Sequence, residues 1–343
     1  MSTWPKREFS LDDLPESLRG CVLTVGNFDG VHLGHQRIVQ AARKLGQERH
    51  APVAALTLEP PPERILRPAD APQRLTPIEA KRRFLLEAGA DCVVTARVDQ
   101  AFLALSAEEF VREILVGRFA VRDMVEGEDF FFGRGRVGNV EFLRQAGPLH
   151  GFGLHLVEPV EVDLPARVGL PHAGGRGGRP HKTSTHTRPQ RVSSSLIRML
   201  VASGDVEDAA KCLGRPFTLY GRIVHGDGRG RSLGFPTANL APADHVLPAD
   251  GVYACRAELA GRSFRAAVSI GFKPTLRGLG LPGGSSPART VEAYLLDAEG
   301  DFYERDIAVG FLHHVREQER FAGTEALRDQ ITKDVYRVRE LLE

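Results

Sequence analysis

Val22-Leu23-Thr24-Val25-Gly26-Asn27-Phe28-Asp29-Gly30-Val31-His32-Leu33-Gly34-His35 opens a stretch that continues to Leu45 and decides how the first half of the chain is built. Val22 to Val25 is a short β-branched run of the kind that forms a buried parallel strand. Gly26 and Gly30 bracket a turn, because glycine reaches backbone angles closed to other residues. After His35 the apolar positions Ile38, Val39, Ala42 and Leu45 fall on one helical face. His32 and His35 therefore sit where a strand gives way to a helix. A helix start offers unpaired N–H groups and a partial positive charge, both of which favour phosphate. Two imidazoles three residues apart can donate further hydrogen bonds to phosphate oxygens. The stretch reads as a nucleotide triphosphate site.

Two plainer readings compete with it. The histidines could be zinc ligands, but no Cys or third His lies at ligand spacing nearby. They could also be solvated caps of a structural loop. No G-x-x-x-x-G-K-[ST] occurs anywhere, which excludes the P-loop NTPases.

A chain of 343 residues exceeds the usual single-domain size, so two domains are expected. Lys plus Arg (45) nearly balances Asp plus Glu (44), so no global field argues for nucleic acid or membrane. The N-terminus carries Asp12 and Asp13 rather than an apolar signal core, and no apolar run approaches a membrane span. Cys21, Cys92, Cys212 and Cys255 form no C-x-x-C and read as reduced, buried thiols of a cytoplasmic protein. Composition leaves self-association open.

Residues 53–58 and 92–95 read as further strands, and a helix begins at Pro77 with Thr76 as its cap. Ser106 and Glu109 form a capping box that opens a helix from Ala107 to Val116. Alternating strand and helix implies a parallel sheet with helices on its faces. In such sheets ligands sit beyond the carboxyl ends of strands, where Gly26 to His35 lies. Gly133-Arg134-Gly135-Arg136-Val137-Gly138 matches G-x-G-x-x-G but comes late in the domain, and a Gly/Arg run is as readily a loop. Gly127-Glu128-Asp129-Phe130-Phe131-Phe132-Gly133 is the more informative frame, although three phenylalanines are most simply core. Residues 167–191 contain Gly, Pro, Arg, His, Ser and Thr and no acid, a flexible basic segment unable to bury a core. It lacks the interleaved aromatics that RNA binding would use. Arg191-Val192-Ser193-Ser194-Ser195-Leu196-Ile197-Arg198 opens a helix expected to reach about Leu213, with a domain boundary near Pro216.

Beyond that boundary the pattern changes to short strands at Leu219 to His225, Gly251 to Leu259, Phe264 to Ile270, Thr290 to Leu296 and Ile307 to Val315. No helical crossover fits between them, so they form an antiparallel sheet closed as a small barrel. A terminal helix capped by Thr324 places Leu327, Ile331, Val335, Val338 and Leu342 on one face. The barrel carries Gly226-Asp227-Gly228-Arg229-Gly230-Arg231-Ser232-Leu233-Gly234-Phe235-Pro236-Thr237-Ala238-Asn239. A glycine-rich turn lets backbone N–H groups approach phosphates. Thr237 and Asn239 point to one side of an extended segment, offering oxygen ligands suited to Mg²⁺. The plainer alternative is a long glycine-rich hairpin loop. Glu292, inside Val291-Glu292-Ala293-Tyr294, is either an exposed alternate position or a buried base.

Gly26 to His35 resembles the signature of the nucleotidylyltransferases. In its longer form, G-N-F-D-G-V-H-L-G-H-Q, it resembles the bifunctional riboflavin kinase/FMN adenylyltransferases, and the likeness covers nearly the whole chain from Gly20. It implies a Rossmann-like nucleotidylyltransferase domain over 1–215 and a riboflavin kinase β-barrel with a terminal helix over 216–343. The substrates implied are riboflavin, FMN and ATP with Mg²⁺. Gly26, Asn27, Phe28, Asp29, Gly34 and Asp129 (within G-x-D-F-x-F-G) would line ATP. His32, His35 and Arg198 would act on the reacting phosphates, and Arg191, Ser194 and Ser195 match the S-S-T-x-I-R region that holds the triphosphate. Arginine's planar fork suits that task. In the kinase signature, Gly226, Gly228, Arg231 and Gly234 would hold phosphate and Thr237 and Asn239 the metal. The family's catalytic glutamate falls on Glu292, and its flavin-side R-x-E-x-x-F element on Arg316 and Phe321. Three departures stand out: Pro61 replaces the histidine of E-P-H-P, Ser195 a threonine, and Ser269 the asparagine of N-I-G. Pro61 removes a titratable donor, which frames one rival, a riboflavin kinase with an impaired adenylyltransferase centre. The other rival is a non-catalytic flavin- or RNA-binding protein on the same scaffold.

Overall fold

The computed structural model describes residues 7–167, 182–226, 234–242, 244–272, 289–319 and 321–343, with the side chains of 166–167 and 182–186 left aside. The chain forms two compact units. The first comprises residues up to Gln73, Ile78–Glu161 and Arg191–Ser193; the second comprises Arg74–Pro77, Val162–Gln190 and Ser194–Glu343.

In the first unit the β-strands are β1 (Glu8–Ser10), β2 (Val22–Gly26), β3 (Val53–Glu59), β4 (Cys92–Arg97), β5 (Asp123–Gly127), the two-residue strands β6 (Phe131–Phe132) and β7 (Gly138–Asn139), and β8 (Gly153–Val157). The helices are α1 (Leu33–Arg49), α2 (Pro62–Leu66), α3 (Ile78–Ala88), α4 (Gln100–Ala104), α5 (Ala107–Glu109) and α6 (Val140–His150). Six strands make one sheet in the order β1-β4-β3-β2-β5-β8. Every pairing in it is parallel. The order runs outward from β2 to β4 and then jumps to β5 and β8, so the topological switch point lies between β2 and β5. Apolar side chains fill both faces. Leu23, Val25, Leu56 and Val94 pack with Phe110, Leu115, Phe132 and Leu143, while Val22, Val53 and Val125 pack under Ala42 of α1. Burial on both faces is why these strands read as continuous apolar runs.

Ser106 and Glu109 make the expected capping box: the hydroxyl accepts from the Glu109 N–H at 3.1 Å and the carboxylate accepts from the Ser106 N–H at 2.8 Å. That backbone donor holds the Glu109 carboxyl below its ordinary range. A lowered value means that this contribution is present at neutral pH and is lost as pH falls through it. Ser106→Ala keeps that backbone donor and loses only the hydroxyl cap, so it should cost about 1 kcal/mol in denaturant unfolding. A variant as stable as the parent at neutral pH would remove the cap from the account. Past Glu109 the helix widens into π-helical turns over Phe110–Arg118 rather than continuing as α-helix. Phe110, Leu115 and Phe119 are all buried, and their spacing suits the wider turn.

The segment 167–191 departs from its reading as a loop. Lys182–Arg191 is a strand, β10, paired with β9 (Glu161–Arg167), and residues 168–181 lie outside the described residues. Thr183, Thr185 and Thr187 alternate along β10, and β-branched threonine favours a strand wherever a partner edge exists. The single helix expected from Ser194 to Leu213 is two, α7 (Ser194–Ala202) and α8 (Val206–Leu213). Gly204 breaks it with φ +78°, and a Cβ there would press on the Tyr253 hydroxyl at 2.9 Å. α8 packs on barrel strands, so the compact units divide earlier than Pro216.

The second unit's strands are β11 (Phe217–Val224), β12 (Ala238–Pro242), β13 (Gly251–Leu259), β14 (Arg262–Phe272), β15 (Arg289–Leu295) and β16 (Asp306–Arg316). They close as a barrel in the order β11-β12-β15-β14-β13-β16. All of its pairings are antiparallel. The terminal helix α9 (Thr324–Leu341) lays Val335, Val338 and Leu342 against Tyr294, Leu312 and Val315. Its N-cap is Gly323, not Thr324, and no side chain caps it.

α9 also buries Asp334, whose carboxylate accepts from Arg316 Nε at 2.9 Å and Nη2 at 2.7 Å. Removing the cation would leave a buried carboxylate unpaired. Arg316→Ala should therefore lower barrel stability by about 3–5 kcal/mol in denaturant titration, whereas a loss below about 1 kcal/mol would mark the pair as ornamental.

Candidate active site

In the first unit, the loop between β2 and α1 is pinned from below. Phe28 and Val31 are buried in an apolar cluster with Val39, Leu85 and Val93. Both take positive φ, 47° and 37°, as does Gly30 at 83°. Such angles cost of order 1–3 kcal/mol for residues bearing a Cβ and persist only where packing enforces them. Burying the two apolar side chains fixes the turn.

His32 is the N-cap of α1, and its Nδ1 accepts the His35 backbone N–H at 3.4 Å. That contact places the proton of the neutral ring on Nε2. The two imidazoles stack at 3.7 Å and 18°, and the Phe28 ring meets His35 edge-on at 5.2 Å. Gly34 permits the stack, since a Cβ there would lie 3.2 Å from the His32 ring. No acidic residue occupies the first turn of α1 itself. Asn27 donates to Glu63 at 3.4 Å, and its carbonyl accepts from Thr57 Oγ1 at 3.4 Å.

The second predicted element, Gly127 to Gly133, leaves β5 across the switch point from β2. Asp129 in its turn pairs with Arg191 at 2.8 Å, so two predicted phosphate-site residues meet. The phenylalanines divide. Phe132 is core, stacked with Phe130 at 5.5 Å and tilted on Phe110 at 5.2 Å, while Phe131 is exposed under the Arg136 guanidinium. The G-x-G-x-x-G match ends in the antiparallel β6–β7 pair, outside the parallel sheet. One residue here was not singled out from sequence. Glu126, beneath both turns, is buried and accepts the Val25 N–H at 2.7 Å, and burial holds its carboxyl well above the ordinary range. The available signal was a carboxylate following the apolar pair Met124-Val125 and directly preceding Gly127. Ser194, Ser195 and Arg198 open α7, which groups with the second unit.

In the barrel, strand register assembles the second site. Val224 pairs with Asn239, Asn239 with Glu292, and Glu292 with Ser269, which sets the last three side by side across β12, β15 and β14. Val291, Ala293 and Leu295 fill the barrel interior, so Glu292 and Tyr294 alternate to the outer face, the one carrying α9. Glu292 is half-buried there, the alternate position rather than the buried one. Gly226 lies against the Asn239 amide so closely that a Cβ would overlap it. Gly234 takes φ +87°. Gly228 and Arg231 lie outside the described residues. Gln318, also not singled out from sequence, donates to Ser269 Oγ at 2.8 Å and to the Ile270 carbonyl at 3.0 Å. Arg316 is committed to Asp334, and its guanidinium carbon stands 5.7 Å from the Phe321 ring centre. Among the described residues no His/Cys/Asp/Glu cluster is arranged for a transition metal. The four cysteines are buried and form no disulfide, Cys21 pushed up to about 12 by burial. Among the described residues no helix is long and apolar enough to cross a membrane.

Comparison with known proteins places one family on each half of the chain. The family model for FAD synthetase covers residues 14–165 and that for riboflavin kinase covers 213–342. The bifunctional riboflavin kinase/FMN adenylyltransferase of Escherichia coli (strain K12) is 36% identical over 325 residues, 94% of this chain and 92% of its own length. That of Pseudomonas fluorescens is 37% identical over 331 residues, 96% of each chain. A solved structure described as a macrolide-efflux protein from Streptococcus pneumoniae superposes with a TM-score of 0.77 at 25% identity, covering 97% of this chain and 99% of that one. With one family model on each half and such relatives along nearly its full length, the chain belongs to the bifunctional riboflavin kinase/FMN adenylyltransferases.

Proposed function

We infer that this chain phosphorylates riboflavin with ATP to give FMN, and then adenylylates FMN with a second ATP to give FAD and pyrophosphate. The observation that carries the reading is the placement of two separate phosphate-directed elements. One is a histidine-capped helix start at the switch point of the parallel sheet, and the other an Asn239–Glu292 pair beside a glycine turn on the barrel. Both substrates are small molecules, and neither nucleic acid nor a membrane is required. Four buried cysteines outside any disulfide fit a cytoplasmic enzyme.

In the barrel, Glu292 takes the proton of the riboflavin 5′-hydroxyl as that oxygen bonds to the γ-phosphorus of ATP and ADP leaves. The Thr237 hydroxyl and Asn239 amide oxygen fit Mg²⁺ as hard donors two residues apart on one side of an extended segment. When bound, Mg²⁺ neutralises charge on the transferring phosphates. Gly226, Gly228, Arg231 and Gly234 are assigned to the phosphates by their motif. Phe321 takes the flavin side, and Arg316 acts there by fixing α9 and facing Phe321 rather than by offering its charge to the ring.

In the first unit, a phosphate oxygen of FMN attacks the α-phosphorus of ATP. That oxygen is already ionised near neutral pH, so no general base is needed. His32, His35 and the start of α1 follow the charge that builds on the phosphates. Asn27, Asp29, Asp129 and Arg191 shape the nucleotide site, and Ser194, Ser195 and Arg198 are assigned to the triphosphate by their motif.

Isotopically labelled ATP tests the reading directly. Label at the γ-phosphate should enter FMN, and label at the α-phosphate should enter only FAD. γ-Label in FMN without α-label in FAD would mean an inactive adenylyltransferase centre, and unlabelled flavin would mean a binding protein.

A further inference from the structure

We propose that Glu126 is a positioning residue for adenylyl transfer, its buried carboxyl tying the ends of the two central strands together beneath the nucleotide turns. The inference rests on the reading that Gly26 to His35 is the adenylyl-transfer site. β2 and β5 pair only at Val22–Asp123 and Leu23–Met124. Beyond Leu23, β2 stays in register with β3 as far as Gly26–Thr57, while β5 follows β8 as far as Gly127–Val157. The two strands therefore part at the switch point, in the kind of crevice where open α/β sheets bind ligands.

A parting sheet leaves strand N–H groups without a ladder partner, and a buried donor without an acceptor is costly. Glu126 closes the gap with its side chain: Oε1 accepts the Val25 N–H at 2.7 Å in a site only 2% exposed. Val25 immediately precedes Gly26-Asn27-Phe28-Asp29, and Glu126 immediately precedes Gly127-Glu128-Asp129. One hydrogen bond thus sets the separation of the two turns at their roots. Burial shifts the carboxyl toward its neutral form, and the oxygen that meets Val25 accepts in either form. A carboxamide has the same shape and the same acceptor, whereas a thioether fills the space without one.

The test compares Glu126→Gln and Glu126→Met in the full-length chain, with His35→Ala alongside. Riboflavin phosphorylation by the same preparation is the internal control. Glu126→Met should lower kcat for FMN conversion to FAD by about 10- to 100-fold with KM for ATP within about threefold, because a sub-ångström shift of positioned donors affects the transition state more than ground-state binding. Glu126→Gln should stay within about threefold of the parent, since it still accepts from Val25. A purely structural role would lower the melting temperature without this separation of kcat from KM. Glu126→Met at parental kcat beside a crippled His35→Ala would overturn this inference alone. Both variants at parental rate would overturn the site reading and this inference with it. Glu126→Gln as slow as Glu126→Met would also overturn it, since acceptance would then not be the role. Should the Met variant not fold, hydrogen exchange at the Val25 amide of the parent decides. Protection that deepens with a non-hydrolysable ATP analogue upholds the inference, and exchange at the rate of an open amide overturns it.

Discussion

Glu292→Gln should phosphorylate riboflavin about 10² to 10⁴ times more slowly than the parent, the usual cost of losing a general base, while still converting added FMN to FAD. The substitution is nearly isosteric, and Glu292 stands at an outward position of β15 between Asn239 and Ser269, so the barrel core does not depend on it. A carboxamide can hold the place of the carboxylate between those neighbours but cannot take the proton of the 5′-hydroxyl. The measurement is initial-rate kinetics with riboflavin and ATP, and separately with FMN and ATP. Equal loss of both activities would indicate a folding defect, and parental phosphorylation would remove Glu292 from the chemistry.

His35→Ala should lower FAD formation about 10² to 10³-fold, the typical cost of one positioned donor, with FMN formation unchanged. The ring of His35 is held from two sides, stacked on His32 at 3.7 Å and edged by Phe28 at 5.2 Å, which pre-sets its direction at the helix start. Charge that develops on the ATP phosphates during adenylyl transfer meets a donor already in place. His35→Asn should recover part of the loss, because an amide still donates. In the barrel, phosphate binding is assigned by motif to Gly226 to Gly234 and not to His35, so the kinase reaction serves as an internal control. FAD yield within a few-fold of the parent would make Gly26 to His35 an inherited scaffold.

Much of the architecture was legible because burial on both faces of a parallel strand leaves an unbroken apolar run. β2, β3 and β4 appear in the sequence within two residues of their observed ends. Five of the six barrel strands were legible for the opposite reason: one face is core and the other is not, so residues alternate; the short β12 was not read as a strand. What stayed hidden was either short or decided by distant partners. β1 at the sheet edge has three residues, and β6 and β7 have two each, too few to carry a period. The break at Gly204 and the strand at 182–191 were missed for another reason, since glycine and threonine serve several local structures and the tertiary partner chooses among them.

The candidate sites divide in the same way. His32, His35, Thr237 and Asn239 lie within continuous motifs whose spacing already states their geometry. Glu126 meets Val25 across 101 residues, Gln318 meets Ser269 across 49, and Arg316 meets Asp334 on a helix that sequence periodicity assigned only an apolar face. Arg316 shows the difference most clearly, because its motif marks it for flavin and the folded chain spends its charge on α9. Such pairings are set by strand register and helix docking, which no local spacing encodes.

The central claim is that one chain carries riboflavin through FMN to FAD. Its most direct test is a time course of flavin products from purified protein with riboflavin, excess ATP and Mg²⁺. FMN should rise first and then give way to FAD, with one pyrophosphate released per FAD. FMN that accumulates without FAD, or riboflavin that remains unchanged, would contradict the account.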